Sequence, residues 1–421
     1  MFIAISIFII CYILIASEKI NKIVVALTGA VIFILFGFVP QAKAFSVYVD
    51  WNVIFLLIGM MIMVGVMKNT GVFEYIAIFL AKKAKGNPKK ILIMLFVITA
   101  IFSAFLDNVT TVIVIAPISI LIAVELGISP VPFIISTALA SNIGGTATLI
   151  GDPPNLMIGS AADLSFLDFL KTLGVFVLVI VIINSGIVYY CFKKYLKVTN
   201  ERRARIMEFK ENELIRDKNL LIYSIVVFTL FITLLILHDL LQISAATIAL
   251  FAAVLMLLKA RKINVDKFFG TEIDWASILF FIGLFIMVGA LEETGFIHYC
   301  SSNILTLVHG KIKTASVIFI WTSGIASGFL DNIPFVAAMI PIIKDISHVV
   351  GHEQSLPLWW ALALGACLGG NATLIGASAN IISVGICKKS NYPISFWTFT
   401  KYGAFITFIN LVLATVFILI M

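Results

Sequence analysis

Along most of its length the chain alternates apolar stretches of near twenty residues with short polar breaks, the length needed to cross the hydrocarbon core of a bilayer. Runs such as LGVFVLVIVIINSGIVYYCF, residues 173–192, are predominantly hydrophobic and lack the alternation of a barrel strand. The pattern predicts an all-α polytopic membrane protein of about ten spanning helices embedded in a lipid bilayer. The first 16 residues have no basic leader and no small-residue cleavage site, so they read as a first span and not as a removed signal.

Two segments break this pattern in their middle. The stretch 91–124 carries SAFLDN at 103–108 and Pro117, and reads as a re-entrant hairpin of two half-helices meeting at a polar tip. The stretch 132–158 contains SNIGGTATLIGDPPN, whose paired glycines and paired prolines cannot stay in an unbroken helix. Non-helical backbone at membrane depth is tolerated only where it is buried in protein or lines an aqueous cavity. Both interruptions therefore point to a site.

Both recur. At an offset of 224, residues 50–75 and 274–299 share 12 of 26 identities, and residues 103–118 match 327–342 at 8 of 16. At an offset of 225, GGTATLIG at 144–151 matches GGNATLIG at 369–376 at 7 of 8. The chain is thus expected to hold repeat one at 1–192, a basic linker at 193–218 and repeat two at 219–421, with the second hairpin at 314–347 and the second broken helix at 358–383.

Loop charge sets the relative orientation of the repeats. The loop 82–90 has five lysines where its counterpart has Lys311 and Lys313, and the strongly basic 259–267 corresponds to 35–43, which has only Lys43. Positive loops stay inside, so residues 17–22, 82–90, 193–218, 259–267 and Lys388–Lys389 are placed on the cytoplasmic side. Each half then crosses an odd number of times if its hairpin turns back, and the repeats are inverted. The first hairpin opens toward the cytoplasm, and the location is the cell's inner membrane.

Composition agrees: 61% of the 421 residues are hydrophobic and 12% charged, far from the mix of a soluble domain. The net charge of +7 lies in short loops beside apolar spans, which argues against nucleic acid as a partner. Five cysteines, Cys11, Cys191, Cys300, Cys367 and Cys387, show no metal-ligand spacing and read as packing residues. Cys367, just before LGGNAT, is the one thiol placed where it could meet a soft ligand such as As(III). No Walker, GxSxG or HExxH motif occurs, so neither ATP hydrolysis nor other enzymatic catalysis is expected.

An ionisable side chain at membrane depth costs about 3 kcal/mol on insertion scales and is a functional candidate by default. Asp107 and Asp331 qualify as carriers of a proton or cation; the plainer reading of each is a cap on a half-helix. Asn108, Asn332, Thr110, Ser141, Asn142, Thr146, Thr148, Asn371 and Thr373 offer neutral oxygens able to replace a small cation's hydration shell. Any single hydroxyl serves equally well by bonding its own i−4 carbonyl. Glu74, Glu292 and Glu293 read as solvated helix ends, and His238, His298, His309, His348 and His352 as loop residues.

SAFLDNVTTV together with SNIGGTATLIGDPPN resembles the ion transporter superfamily, most closely the branch holding the arsenite permease ArsB, the sodium/proton antiporter NhaD and the melanosomal P protein. The resemblance covers both halves. It implies one site from Asp107, Asn108, Thr110, Ser141, Asn142, Gly144, Thr146, Thr148 and Asn155, and a second from Asp331, Asn332, Gly369, Asn371, Thr373 and Asn380. It also implies an elevator motion of hairpins and broken helices, and it leaves room for a homodimer or an ATPase subunit.

Two departures matter. Asp replaces the hairpin Ser of the divalent-anion symporter relatives, and Pro334 stands where the first half has Thr110. A dicarboxylate within about 4 Å of an ionised Asp meets a repulsion of roughly 4 kcal/mol at an effective dielectric of 20. The expectation is a secondary active efflux transporter exchanging protons for arsenite or antimonite. The alternatives are a sodium or lithium/proton antiporter, a sodium-coupled dicarboxylate symporter and a passive channel. No cofactor is expected beyond Na+ or H+ as coupling ion. The topology is checked with Asn200→Cys in a cysteine-free background: a membrane-impermeant maleimide should label it only after the cells are permeabilised, and labelling of intact cells overturns the assignment.

Overall fold

The computed structural model describes residues 1–421 except Glu18, Arg261, Lys262 and His309. The loop reading of His309 and parts of the basic segments 17–22 and 259–267 therefore lie outside the described residues. Among those described, the chain is helical, and nine helices are long and apolar enough to cross a membrane by length and composition.

In the first repeat, α1 (Phe2–Ser17), α2 (Lys22–Leu35), α3 (Trp51–Asn69) and α4 (Val72–Lys83) precede the hairpin α5 (Pro88–Phe105) and α6 (Asn108–Glu125). The broken helix follows as α7 (Val131–Gly145) and α8 (Pro153–Ala162), and α9 (Val175–Phe192) closes the repeat. The linker holds α10 (Asn200–Glu208). The second repeat runs through α11 (Lys218–Ile236), α12 (Ala245–Lys259), α13 (Trp275–Glu293) and α14 (Phe296–Leu307). Its hairpin is α15 (Ile312–Phe329) and α16 (Asn332–Val350), its broken helix α17 (His352–Gly369) and α18 (Ser378–Lys389), and α19 (Phe396–Ile420) ends the chain. The hairpin arms have 18 or 19 residues, about 27 Å at 1.5 Å per residue. They are longer than the half-helices read from the sequence; the first arm starts ahead of the loop lysines because Asn87 caps it, accepting the Lys89 and Lys90 N–H groups, with Pro88 at the first helical position.

The two inverted repeats interlock with swapped partners. Helix α2 packs on α13 and α3 on α12; α6 packs on α18 and α16 on α8; α9 meets α19. Between helices in lipid the driving force is close packing, which small residues permit. A Cβ on Gly59 would stand 2.7 Å from the Ala249 carbonyl carbon, and one on Gly283 would stand 2.7 Å from that of Ala26. Glycine at both places lets the backbones touch, and the same device recurs where Gly144 meets Ala100 O and Gly369 meets Gly324 O. Two groups of helices result. One is a scaffold in two parts, α1 and α2 with α13 and α3 with α11 and α12; the other, the hairpins with the broken helices, forms a bundle that both parts contact.

The linker covers the loop end of the first hairpin. Lys82 donates to Glu211 Oε2 at 2.5 Å and to Phe209 O at 2.8 Å, and this ammonium holds the Glu211 carboxyl below its ordinary range. The Arg216 N–H bonds Thr70 O at 2.9 Å, and Ile206 is fully buried. Loop 82–90 and the linker, both strongly basic, thus share one face of the protein.

Gly59→Val should force the α3–α12 backbones apart and lower stability by about 1–3 kcal/mol, read as an earlier melting temperature in detergent. Gly186→Ala, where an added Cβ meets nothing within 4 Å, should melt no earlier than the parent protein.

Candidate functional site

Hairpin tips and helix breaks converge inside the bundle. At the first tip Leu106 turns to extended backbone, and Asp107 caps α6 by accepting the Thr110 N–H at 2.8 Å and the Thr110 hydroxyl. A carboxylate suits the positive end of a helix. At the second tip Asp331 caps α16, accepting the Ile333 N–H at 3.3 Å, the Ser378 hydroxyl at 3.0 Å and the Lys22 ammonium at 2.7 Å.

The two tips solve one problem with different parts. Pro334 has neither the N–H nor the hydroxyl that Thr110 offers, and Ser378 supplies the missing hydroxyl from α18. In the 225-residue register Ser378 corresponds to Pro153. The hydroxyl therefore comes from the hairpin in one half and from the broken helix in the other. The Pro334 carbonyl accepts the Tyr12 hydroxyl.

Each broken helix is stapled by the asparagine at the third position of its second arm. Asn155 donates to Gly145 O at 3.1 Å, Thr146 O at 3.4 Å and Thr148 O at 2.9 Å; Asn380 donates to Gly370 O at 2.8 Å and Thr373 O at 3.0 Å. These bonds satisfy carbonyls that leave the helix in a place with no water to take them. The halves are joined through Asn142, which accepts from Asn108 at 3.1 Å and donates to Asn371 at 2.8 Å and Asn380 at 2.9 Å.

Asp107, Asn108, Thr110, Asp331 and Asn332 line a cavity of about 900 Å³ between bundle and scaffold. The other residues expected at the site lie behind its wall. Ser141 and Thr146 bond carbonyls of their own helix, Thr148 reaches Ala104 O, and Thr373 reaches Gly328 O at 2.5 Å. Gly144 and Gly369 serve close backbone packing. Cys367 is fully buried beside Asn155 Oδ1, 3.5 Å away, and is not part of the lining.

Three lining residues escaped the sequence reading. Asp152, fully buried, accepts from Asn332 Nδ2 at 3.2 Å and 3.4 Å. Lys22, the first residue of α2, pairs with Asp331, and Ser378 bonds both. A signal for the first two existed in the comparison of the halves: Asp152 corresponds to Ala377, and Lys22, one residue after the cap Asn21, corresponds to Ala245 after the cap Ser244. A charge retained in only one repeat points to function.

Duplicated hairpins and broken helices around one cavity that carries charged side chains on a largely apolar wall define a membrane transporter of inverted-repeat architecture. The fold is shared with the Alcanivorax borkumensis YdaH transporter, at a TM-score of 0.62 over 91% of this chain and 88% of that one, with 11% identity. A family model described as Citrate transporter (CitMHS) matches residues 12–365, and the chain belongs to that family. It is 41% identical to an uncharacterized transporter of Mycobacterium bovis over 99% of this chain and 97% of the relative. It is also 30% identical to the P protein of Sus scrofa, covering 93% of this chain and 56% of that protein.

Asn380→Ala should leave the Gly370 and Thr373 carbonyls short of a donor at about 1–3 kcal/mol for each buried group. Its melting temperature in detergent should fall clearly, whereas Asn303→Ala, at an exposed position, should leave melting unchanged.

Proposed function

We propose that the protein is a secondary active antiporter that exchanges protons for a small inorganic solute leaving the cell, with sodium or lithium favoured as cargo over arsenite or antimonite. The observation that carries this reading is the charge of the cavity: Asp107, Asp152, Asp274, Asp331 and Glu272 line it with Lys22 and Lys68. Five carboxylates against two ammonium groups leave three formal negative charges in excess, and with Lys68 paired to Glu272 and Lys22 to Asp331 that excess lies on Asp107, Asp152 and Asp274. Burying an ion costs several kcal/mol unless it is paired, so a proton or a metal cation is the natural partner for the remainder. A neutral arsenous acid gains nothing from this charge, and the thiol that could hold As(III), Cys367, stands behind the wall. A free citrate trianion meets repulsion of roughly 4 kcal/mol for each pair of like charges at about 4 Å and an effective dielectric of 20.

Alternating access is served by the division into scaffold and bundle. Hairpins and broken helices are tied together through Asn142, while the cavity lies on their border with α1 to α3 and α13. An elevator-like slide of the bundle along the scaffold would carry Asp107 and its cargo across. Inverted repeats favour this over a passive pore.

Proteoliposomes with a trapped pH dye test the reading when sodium, lithium, arsenite or citrate is added. Sodium or lithium should move protons in the wild type. In Asp107→Asn, which removes an attraction of roughly 4 kcal/mol for a cation at about 4 Å and an effective dielectric of 20, the flux should drop by at least about a hundredfold. Proton movement driven by arsenite alone makes the metalloid the cargo; movement driven by citrate, or by nothing, overturns cation antiport.

A further inference from the structure

We propose that Lys22 is a tethered counter-ion that occupies, in the second half, the position an outside cation takes in the first half, so that the chain binds one sodium and not two. The inference rests on the cation reading above and deepens it.

Repeated sequences build two tips, and two equivalent cation positions are the default for such a duplication. The second is already filled. The Lys22 ammonium stands 2.7 Å from Asp331 Oδ2 and 3.2 Å from Ser378 Oγ, the oxygen atoms a bare cation there would seek. Its Nζ also lies 5.1 Å from the centre of the Phe280 ring, a face that favours positive charge. A short ammonium fixed by a carboxylate, a hydroxyl and an aromatic face is a good replica of a bound monovalent ion.

The first half differs at each matching place. Ala245 begins α12 where Lys22 begins α2, and the other lysine lining the cavity, Lys68, is paired with Glu272 at 3.1 Å. Asp152, where the second half has Ala377, belongs to the first repeat in sequence but stands at the second tip, accepting from Asn332 Nδ2. Asp107 retains the Thr110 hydroxyl that Pro334 removed from Asp331's tip. At Asp331 the Lys22 ammonium and the Ser378 hydroxyl take the places of an outside cation and of the Thr110 hydroxyl. The position left for a single outside cation is then the one at Asp107.

Equilibrium dialysis of the purified full chain against sodium-22 tests this, with size exclusion as the check on folding. The wild type and Lys22→Arg should each bind one sodium, and Lys22→Ala two. Lys22→Gln, which keeps bulk and a donor to Asp331 should the alanine variant fail to fold, should also bind two. Lys22→Ala combined with Asp331→Asn should return to one. Two sodium ions in the wild type, or one in both neutral Lys22 variants with unchanged affinity, overturns the inference and leaves cation antiport standing. A wild type that binds none fails the antiport reading, and this inference with it.

Discussion

Backbone that leaves a helix inside a membrane must find its hydrogen bonds within the protein, and the rest of this structure follows from how that is met. Four interruptions, at the two hairpin tips and in the two broken helices, lie in one region of the bundle. Each is closed by a side chain two or three residues away or by an asparagine from the next turn. Asp107 and Asp331 cap the helices that restart after the tips, and Asn155 and Asn380 hold the carbonyls released by the breaks. The staples also explain why so much polar sequence sits in an apolar chain. Most of it answers the backbone, and only what remains turned toward the cavity is free to meet a solute.

That division explains how far the sequence could be read. Repeats, breaks and tips were legible because they depend on residue type: glycine pairs, proline pairs and an Asp-Asn pair have few uses in a span. Which polar side chain faces the cavity was not legible, because it depends on helix rotation and on what packs behind. Thr146 and Thr110 look alike in sequence, yet the first bonds Asn142 O in its own helix and the second meets Asp107 at the tip. Asp152 lies inside the SNIGGTATLIGDPPN interruption, where the glycine and proline pairs carry the signal and the acid beside them does not stand out. Lys22 was passed over because a lysine beside an apolar span reads as an inside loop. Both would have stood out from the one comparison that matters in a duplicated protein, the positions where the halves disagree in charge.

The disagreement has a physical logic. A duplicated site starts with two equal wells, and the energy of a buried carboxylate is large enough that a single substitution decides what fills each. Replacing a hydroxyl by Pro334 weakens one well for an outside ion; an ammonium anchored on a neighbouring helix restores the charge balance without one. The exchange of hydroxyl source between Thr110 and Ser378 shows that donors can move from hairpin to broken helix while the carboxylate stays in place.

The location of the pair connects charge to movement. Lys22 belongs to α2 in the scaffold, and Asp331 caps α16 in the bundle. The Tyr12 hydroxyl on the Pro334 carbonyl crosses the same border. Under the proposed slide, both contacts must part, whereas the Asn142 links travel with the bundle. Asp331 would then leave its ammonium and require another positive charge, and the candidate at hand is a proton from the side newly exposed. The pairing that spares the second half an outside cation in one position would, in the other, make a proton the condition for moving on. Coupling in this scheme needs no signal passed through the fold, because the same carboxylate is neutralised by the scaffold at one end of the stroke and by solvent at the other.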